Sequence, residues 1–299
     1  MNTPPVISLN RPLPPGQHRL ALWVAYDGSP FMGWQEQPHG PSVQQTLEQA
    51  FSTACRQPVR VFGSGRTDTG VHALGQVAHV DVPAHMPLPK LFASVNALAA
   101  PHIVVRNMLP VGASFHARHS AVAKTYRYYL HTHPHPPLFS RHRSWWLRHP
   151  LNSQAMQQAA QHLLGTHDFS AFRAAGCAAK SPIREMQRIA VAPVPLAQQE
   201  IGNLTIEMQA TGFLQYMARN VVGMLVEVGR GRLAPEDMPR VLSGEWHPSR
   251  AVTAPGKGLH KVQVFFDLEV FPELKTLYTP FPLPEYEPEG VANSREDQP

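Results

Sequence analysis

The sequence predicts an α+β fold built from two ferredoxin-like halves, each with the element order βαββαβ. Alternating apolar residues mark short strands, and apolar residues at helical spacing mark the helices between them. The same order of elements occurs twice, without any repeat at the level of residues. Two such halves are expected to join edge to edge in one extended, mainly antiparallel sheet, with helices on one side and an open cleft on the other.

The first half is predicted to begin with a strand at 19–26, in which Leu20 and Leu22 share one face. Ser42 and Gln45 form a capping box that marks the start of its first helix. The other predicted elements of this half are strands at 59–62, 76–82 and 103–108 and a helix at 89–99.

The second half is predicted to repeat this order. It begins with a tyrosine-rich strand at 124–131, and Ser153 caps the helix that follows. An amphipathic helix at 212–228 carries an apolar stripe through Met217 and Val221. The other predicted elements are a helix at 153–164 and strands at 184–191, 204–210 and 260–270.

Composition divides the chain into four segments and excludes several protein classes. A flexible Pro-rich leader is predicted at 1–17, α+β domains at 18–115 and 116–272, and an acidic Pro-rich tail at 273–299. With 43% hydrophobic residues the chain can form a core, which excludes a fibrous or wholly disordered protein. No apolar run approaches the roughly 18–20 residues of a membrane span, and no signal-peptide pattern is seen, so a cytoplasmic location is expected. The two cysteines form no CxxC pair, which excludes a zinc ribbon and a disulfide framework.

The positive charge is concentrated outside the tail. The net charge is +5, and the tail contains six acidic and two basic residues, so the rest of the chain carries +9. Twenty of the 26 basic residues are arginine, whose guanidinium group matches phosphate oxygens and favours a nucleic-acid partner. A GC-rich genome would also enrich arginine, proline and alanine, so charge alone leaves both explanations open.

The glycine-rich segment 63–73 contains the strongest candidate for chemistry. It places Arg66 and Asp68 two residues apart on a turn that follows a strand. The segment is neither a phosphate-binding P-loop nor a dinucleotide-binding fingerprint. Asp68 is placed to act as a nucleophile or base, or else as the capping group of an Asx-turn. His72, just after the turn, is a candidate base or a structural hydrogen-bonding group.

Arg219 is a second candidate, because it lies in the middle of a helix with apolar residues on two sides. A half-buried guanidinium group needs a carboxylate or phosphate partner. Glu227 is about two turns away along the helix and is out of reach. A partner from another segment is therefore predicted, with Asp68 as the candidate. The alternative is that Arg219 extends to solvent or contacts RNA directly.

The predicted strand 124–131 combines aromatic and basic residues. Alternation places Tyr126 and Tyr128 on one face and Arg127 and Tyr129 on the other. An aromatic ring beside basic residues is typical of a stacking platform for a base. Tyrosines in strands also commonly belong to the core, and the sequence leaves both functions open.

Two further patterns are weak. His131, His133 and His135 alternate as metal ligands can, but prolines interrupt them and no carboxylate is near, so an exposed loop is favoured. Cys177 is a candidate nucleophile without a cofactor-binding loop to accompany it. No metal is therefore expected.

The segment Gly65–Ala73, with Gly75-Gln76-Val77 after it, closely resembles the signature of TruA-type tRNA pseudouridine synthases. Further similar segments are 26–28, 33–35, 124–128, 168–173 with Cys177, 212–223 and 253–255. The resemblance runs in order from about residue 19 to residue 270. Gln215-Tyr216 departs from the family pattern, which usually has a His pair or Tyr-His there.

The resemblance implies isomerisation of uridine to pseudouridine at positions 38, 39 and/or 40 of the tRNA anticodon stem-loop, with base flipping and without a metal or nucleotide cofactor. It implies that Asp68 is the catalytic aspartate, that Arg219 pairs with it and that Tyr126 stacks on the flipped base. Arg66 is similar to the residue that fills the space left by that base. The other predicted substrate-binding residues are Thr67, His72, Arg127 and Arg173. The family is typically homodimeric, which predicts a second copy as a partner.

Two other functions are carried as alternatives. A non-catalytic RNA-binding protein of the same fold would not require an Asp68–Arg219 pair. A glycoside hydrolase would need two carboxylates that flank the scissile bond, and Asp27 is the obvious second candidate.

Overall fold

The computed structural model describes residues 13–195, 199, 201–246 and 252–279. The strands are β1 Gln17–Tyr26, β2 Val61–Gly63, β3 His72–Pro83, β4 Ile103–Val111, β5 Ala121–Thr132, β6 Trp145–Leu147, β7 Gly165–Asp168, β8 Ile183–Pro193, β9 Leu204–Ala210 and β10 Leu259–Phe266. The α-helices are α1 Val43–Cys55, α2 Leu88–Ala99, α3 Ser153–Gln161, α4 Met217–Gly229 and α5 Met238–Leu242. None of the helices in this described part of the chain has the length and apolar character needed to cross a bilayer.

One ten-stranded sheet contains both halves, as predicted. Its order is β4-β1-β3-β10-β5-β9-β8-β7, with β2 paired to β3 and β6 paired to β5. Within the first half the order β4-β1-β3-β2 is ferredoxin-like, and β10-β5-β9-β8 repeats it in the second half. All the strand pairs are antiparallel except β3 with β10 and β5 with β6. The predicted α+β fold class is confirmed.

The two halves meet at β3, and this junction positions the functional site. β10 pairs with β3 only at His72 and Ala73. Further along the same edge of β3, residues 78–80 pair with β2 instead of β10. The loop 64–71 connects β2 to β3, so it lies where β2 and β10 separate. The sheet is therefore open beside this loop.

Apolar side chains cover the two faces of the sheet differently. Helices α1 and α2 pack on the face of β1 that carries Leu20, Leu22 and Val24. Helices α3 and α4 pack on the corresponding residues of β5 and β9 in the second half. On the opposite face of the first half, Ala21 and Val77 pack against Phe115, β10 and residues 271–277. Burial of these side chains supplies the main driving force for folding.

Several predicted boundaries differ from the structure. Asn152, rather than Ser153, caps α3, because its Oδ1 accepts a hydrogen bond from the Ala155 N–H at 3.0 Å. Helix α4 begins at Met217 and not at residue 212. The backbone of Tyr216 is left-handed, with φ 64°, so the residues before it do not continue the right-handed helix. The last strand ends at Phe266 instead of residue 270.

The predicted tail boundary at residue 273 lies inside the packed part of the chain. Leu274 and Leu277 are buried against the first half. The Tyr278 hydroxyl accepts from the Val264 N–H at 2.9 Å and donates to the Val264 carbonyl at 2.7 Å. At the other end, Gln17 of the predicted leader belongs to β1. The rest of the predicted leader and tail, 1–12 and 280–299, lies outside the described residues.

Candidate active site

A cleft of about 690 Å³ lies at the junction of the two halves. Its walls include the loop 63–68, the β5 residues Lys124 and Tyr126, and the segment 213–219 that enters α4. Tyr126 shares its strand face with residues that pack under α3 and α4. The cleft therefore opens at the junction of the two halves, and the wall that carries Tyr126 belongs to the second half.

Asp68 and Arg219 form an ion pair in this cleft. The Arg219 Nη1 donates to the Asp68 Oδ2 at 3.0 Å, although the two residues are 151 positions apart. The Arg219 Nε donates to the Ala254 carbonyl at 2.7 Å, and the guanidinium carbon lies 4.8 Å from the centre of the Tyr216 ring. The side chains are 16% and 27% exposed, so water reaches the carboxylate. The predicted partner of Arg219 is confirmed.

The turn that carries Asp68 is held from both sides. The Thr67 hydroxyl shares a hydrogen bond of 2.8 Å with the buried Tyr26 hydroxyl, and the Thr67 carbonyl accepts from the Trp34 N–H at 3.0 Å. This approach requires Gly33, since a Cβ there would lie 2.5 Å from the Thr67 carbonyl oxygen. Thr67 thus fixes the backbone immediately before Asp68.

A buried lysine supports the other side of the turn. The fully buried Lys261 Nζ donates to the Ser64 Oγ at 2.8 Å and also to the Gln76 Oε1. Gln76 in turn donates from its Nε2 to the Gly65 carbonyl at 2.9 Å. Burial lowers the pKa of Lys261 well below its usual value. The sequence did not predict Lys261 as a site residue, and its only signal there was a lysine in a mostly apolar strand.

The two tyrosines of the predicted platform have different environments. Tyr126 lines the cleft, with its ring edge-on to Phe213 at 4.9 Å. Burial, together with the nearby Tyr26 and Asp68, raises the pKa of the Tyr126 phenol, which is therefore neutral. Tyr128 belongs to the core and donates to the Pro255 carbonyl at 2.7 Å.

His72 has a structural hydrogen-bonding role. Its Nδ1 accepts from the Gly28 N–H at 3.1 Å, and its Nε2 donates to the His142 carbonyl at 2.8 Å. Both ring nitrogens are occupied, which defines a neutral tautomer. Burial lowers the pKa of His72, so the ring stays neutral near pH 7.

The three predicted arginines are distributed unequally. Arg66 is exposed and lines the cleft. Arg127 lies on the other face of β5, where it pairs with Glu207 at 2.6 Å, and it does not line the cleft. Arg173 is exposed and is also outside the cleft lining. Only Arg66 of these three is thus placed beside Asp68.

The charge of the described cleft lining is strongly unbalanced. Its one carboxylate is Asp68, whereas its basic side chains besides histidine are Arg66, Arg118, Lys124, Arg184 and Arg219. Burial, with Arg118 and Arg184 nearby, lowers the pKa of Lys124 to about 8. Such a lining suits a polyanion. Arg118 and Arg184 were not predicted as site residues, because no local pattern in the sequence distinguishes them from other arginines.

The remaining candidates do not form a second reactive centre. Asp27 accepts a hydrogen bond from the Ser29 N–H and lies 3.3 Å from His72, outside the cleft lining. Cys177 lines the cleft. Among the described residues, no group of three or more potential ligands could hold a metal ion.

The chain is similar to known proteins over most of its length. The family model described as tRNA pseudouridine synthase matches residues 22–120 and 159–267. A tRNA pseudouridine synthase A from Syntrophotalea carbinolica is 42% identical over 248 residues, which cover 83% of this chain and 96% of that protein. Proteins of the same name from Geotalea daltonii and Chromobacterium violaceum are 39% and 42% identical, and cover 83% and 81% of this chain. These matches cover 99% and 90% of the respective relatives.

Proposed function

Because the chain belongs to the tRNA pseudouridine synthase family, whose members isomerise uridine to pseudouridine in tRNA, we propose that it acts at positions 38, 39 and/or 40 of the anticodon stem-loop with Asp68 as its catalytic residue. One observation supports this assignment above the others. Asp68 is the single carboxylate in the described lining of a basic cleft, and Arg219 holds it at 3.0 Å.

The reaction requires no external oxidant or reductant. The bond between the uracil N1 and the ribose C1′ breaks, the base rotates, a bond forms between C5 and C1′, and the proton on C5 is released while N1 gains one. Asp68 can begin this sequence by attacking the sugar, by attacking the base or by abstracting a sugar proton. All three routes use an ionised carboxylate, and Arg219 stabilises that charge and orients it.

A uridine inside the anticodon stem must leave its stack before Asp68 can reach it. Extrusion of a base costs a few kcal/mol, which contacts in the cleft must offset. We propose that Tyr126, whose neutral ring lines the cleft, stacks on the flipped base. We propose that Arg66 fills the space that this base leaves in the stack. Arg118 and Arg184 are suited to the backbone phosphates. Recognition of several adjacent positions favours such contacts with phosphate and shape over reading of bases.

The other predicted residues have indirect or peripheral roles in this proposal. Thr67 and His72 contribute by holding the loop around Asp68. Arg127 and Arg173 stay predicted contacts for parts of the tRNA outside the cleft. We also propose that the protein forms a homodimer and acts in the cytoplasm, where its tRNA substrates are.

Tritium release tests the proposed reaction directly. Anticodon stem-loops with a single uridine at position 38, 39 or 40, tritiated at C5, are incubated with the protein, and we expect release of tritium to water. Stem-loops without uridine at these positions serve as controls. Binding without release would support a non-catalytic RNA-binding protein, and appearance of free uracil would support a glycoside hydrolase.

Arg219→Lys is expected to reduce the single-turnover rate by about 100-fold, with little change in tRNA affinity. A lysine ammonium cannot bond both Asp68 and the Ala254 carbonyl in the geometry of a guanidinium group, and a small misplacement of a catalytic group has an effect of this size. Arg240→Lys, the same exchange at an exposed helix position, is the control. A wild-type rate for Arg219→Lys would show that this ion pair is not needed for the reaction.

A further inference from the structure

An exposed phenylalanine lies in the cleft wall. Phe62 is in the short strand β2, six positions before Asp68, and 45% of its surface is accessible. It lines the same cleft as Asp68 and Tyr126. The neighbouring Val61, by contrast, is fully buried under α1 and α2. Alternation in β2 therefore directs a large apolar ring to an accessible surface inside a charged cleft.

The Phe62 ring is held on a rigid support. It lies nearly parallel to the ring of His79, with centroids 5.0 Å apart and an angle of 17°. His79 is buried, and its Nδ1 accepts a hydrogen bond from the Ala117 N–H at 3.2 Å. Burial, with Arg19 nearby, lowers the pKa of His79 to about 3, so this ring is neutral. An aromatic ring supported in this way loses little conformational entropy on binding.

The surroundings of Phe62 favour a nucleotide over a purely apolar ligand. The His116 ring lies 6.1 Å from the Phe62 ring, and His116, Arg118 and His119 all line the cleft. Aromatic faces beside cationic groups bind single-stranded nucleic acid by stacking and phosphate contact together. Tyr126 and Phe213 form a separate aromatic site on the other wall.

We propose that Phe62, supported by His79, is the stacking platform for a second nucleobase of the tRNA, the base next to the flipped uridine in sequence. Arg118 is positioned to contact the phosphate of that nucleotide. This inference rests on the proposed function, since it assumes that the cleft holds an anticodon stem-loop.

The test combines protein and RNA changes. Phe62→Leu removes the aromatic face and keeps most of the apolar volume, whereas Phe62→Tyr keeps the face. We expect Phe62→Leu to weaken stem-loop binding by about tenfold, and Phe62→Tyr to bind like wild type. An abasic nucleotide at one flanking position should weaken binding to wild type by a similar factor and to Phe62→Leu hardly at all. Phe139→Leu, at a 91% exposed ring outside the described cleft lining, is the matched control.

Each outcome decides between specific explanations. Equal affinity of Phe62→Leu and wild type would overturn the platform while leaving the synthase activity, measured by tritium release, intact. An affinity loss that is the same for intact and abasic RNA at each flanking position would also overturn it, because the ring would then act only on the protein fold. Absence of tritium release by wild type would reject the proposed function, and the binding experiment would still report on Phe62.

Discussion

Asp68→Asn is expected to reduce tritium release by about 10⁴-fold or more, while the affinity for tRNA stays within a few-fold of wild type. Asparagine keeps the shape of aspartate but supplies neither a nucleophilic carboxylate nor a base. The hydrogen bond from Arg219 can still form to the amide oxygen, so the loop should keep its position. Single-turnover release and filter binding, measured on the same stem-loop, separate the two effects.

Two further variants make this result decisive. The asparagine of Asp68→Asn can deamidate to aspartate, whereas the alanine of Asp68→Ala cannot. Residual activity that is seen in Asp68→Asn but not in Asp68→Ala is therefore due to deamidation. Asp267→Asn makes the same exchange in an exposed turn outside the cleft and should retain full activity. Substantial tritium release by Asp68→Ala would assign the chemistry to another group and contradict the proposed role.

Gly223→Ala is expected to lower the free energy of unfolding by about 3 kcal/mol, at the upper end for overpacked cores. Gly223 is buried in α4, and a Cβ there would lie 1.6 Å from the Val252 carbonyl oxygen. The segment 252–254 would have to move away from the helix. Because the Ala254 carbonyl accepts from Arg219, this movement should also reduce the single-turnover rate by more than tenfold.

Urea denaturation and tritium release measure these two effects. Gly112→Ala is the control, since a Cβ at that exposed glycine would meet only the Ser114 Oγ at 3.7 Å. If Gly223→Ala unfolds at the same urea concentration as wild type, the segment 252–254 can shift freely. Tight packing against α4 would then not be what positions the Ala254 carbonyl.

The regular elements could be predicted because their side-chain periods reflect local geometry. Alternation in β1 and the capping box at Ser42 each identify an element without reference to the rest of the chain. In the structure the Ser42 Oγ accepts from the Gln45 N–H at 3.2 Å. Strands β6 and β7, which were not predicted, have only three and four residues.

Other boundaries depend on contacts that sequence patterns do not show. Asn152 and Ser153 are both good capping residues, and in the structure Asn152 has the extended backbone of a cap, with φ −77° and ψ 90°. Leu274 and Leu277 lie in a segment whose proline and glutamate content favours a tail. Their side chains are buried because they pack against apolar residues on the face of the first half that lies opposite the helices.

The sequence by itself determined the α+β class, the repeated element order, the loop around Asp68 and the need of Arg219 for a partner from another segment. These follow from periodicity, from turn-forming residues and from the cost of burying an unpaired charge. Only the tertiary structure decided that β3 is shared between β2 and β10, which opens the cleft beside Asp68. It also brought Lys261 beneath the loop and Phe62 into the wall. Such contacts join residues far apart in the chain, and they depend on how the two halves pack rather than on any local pattern.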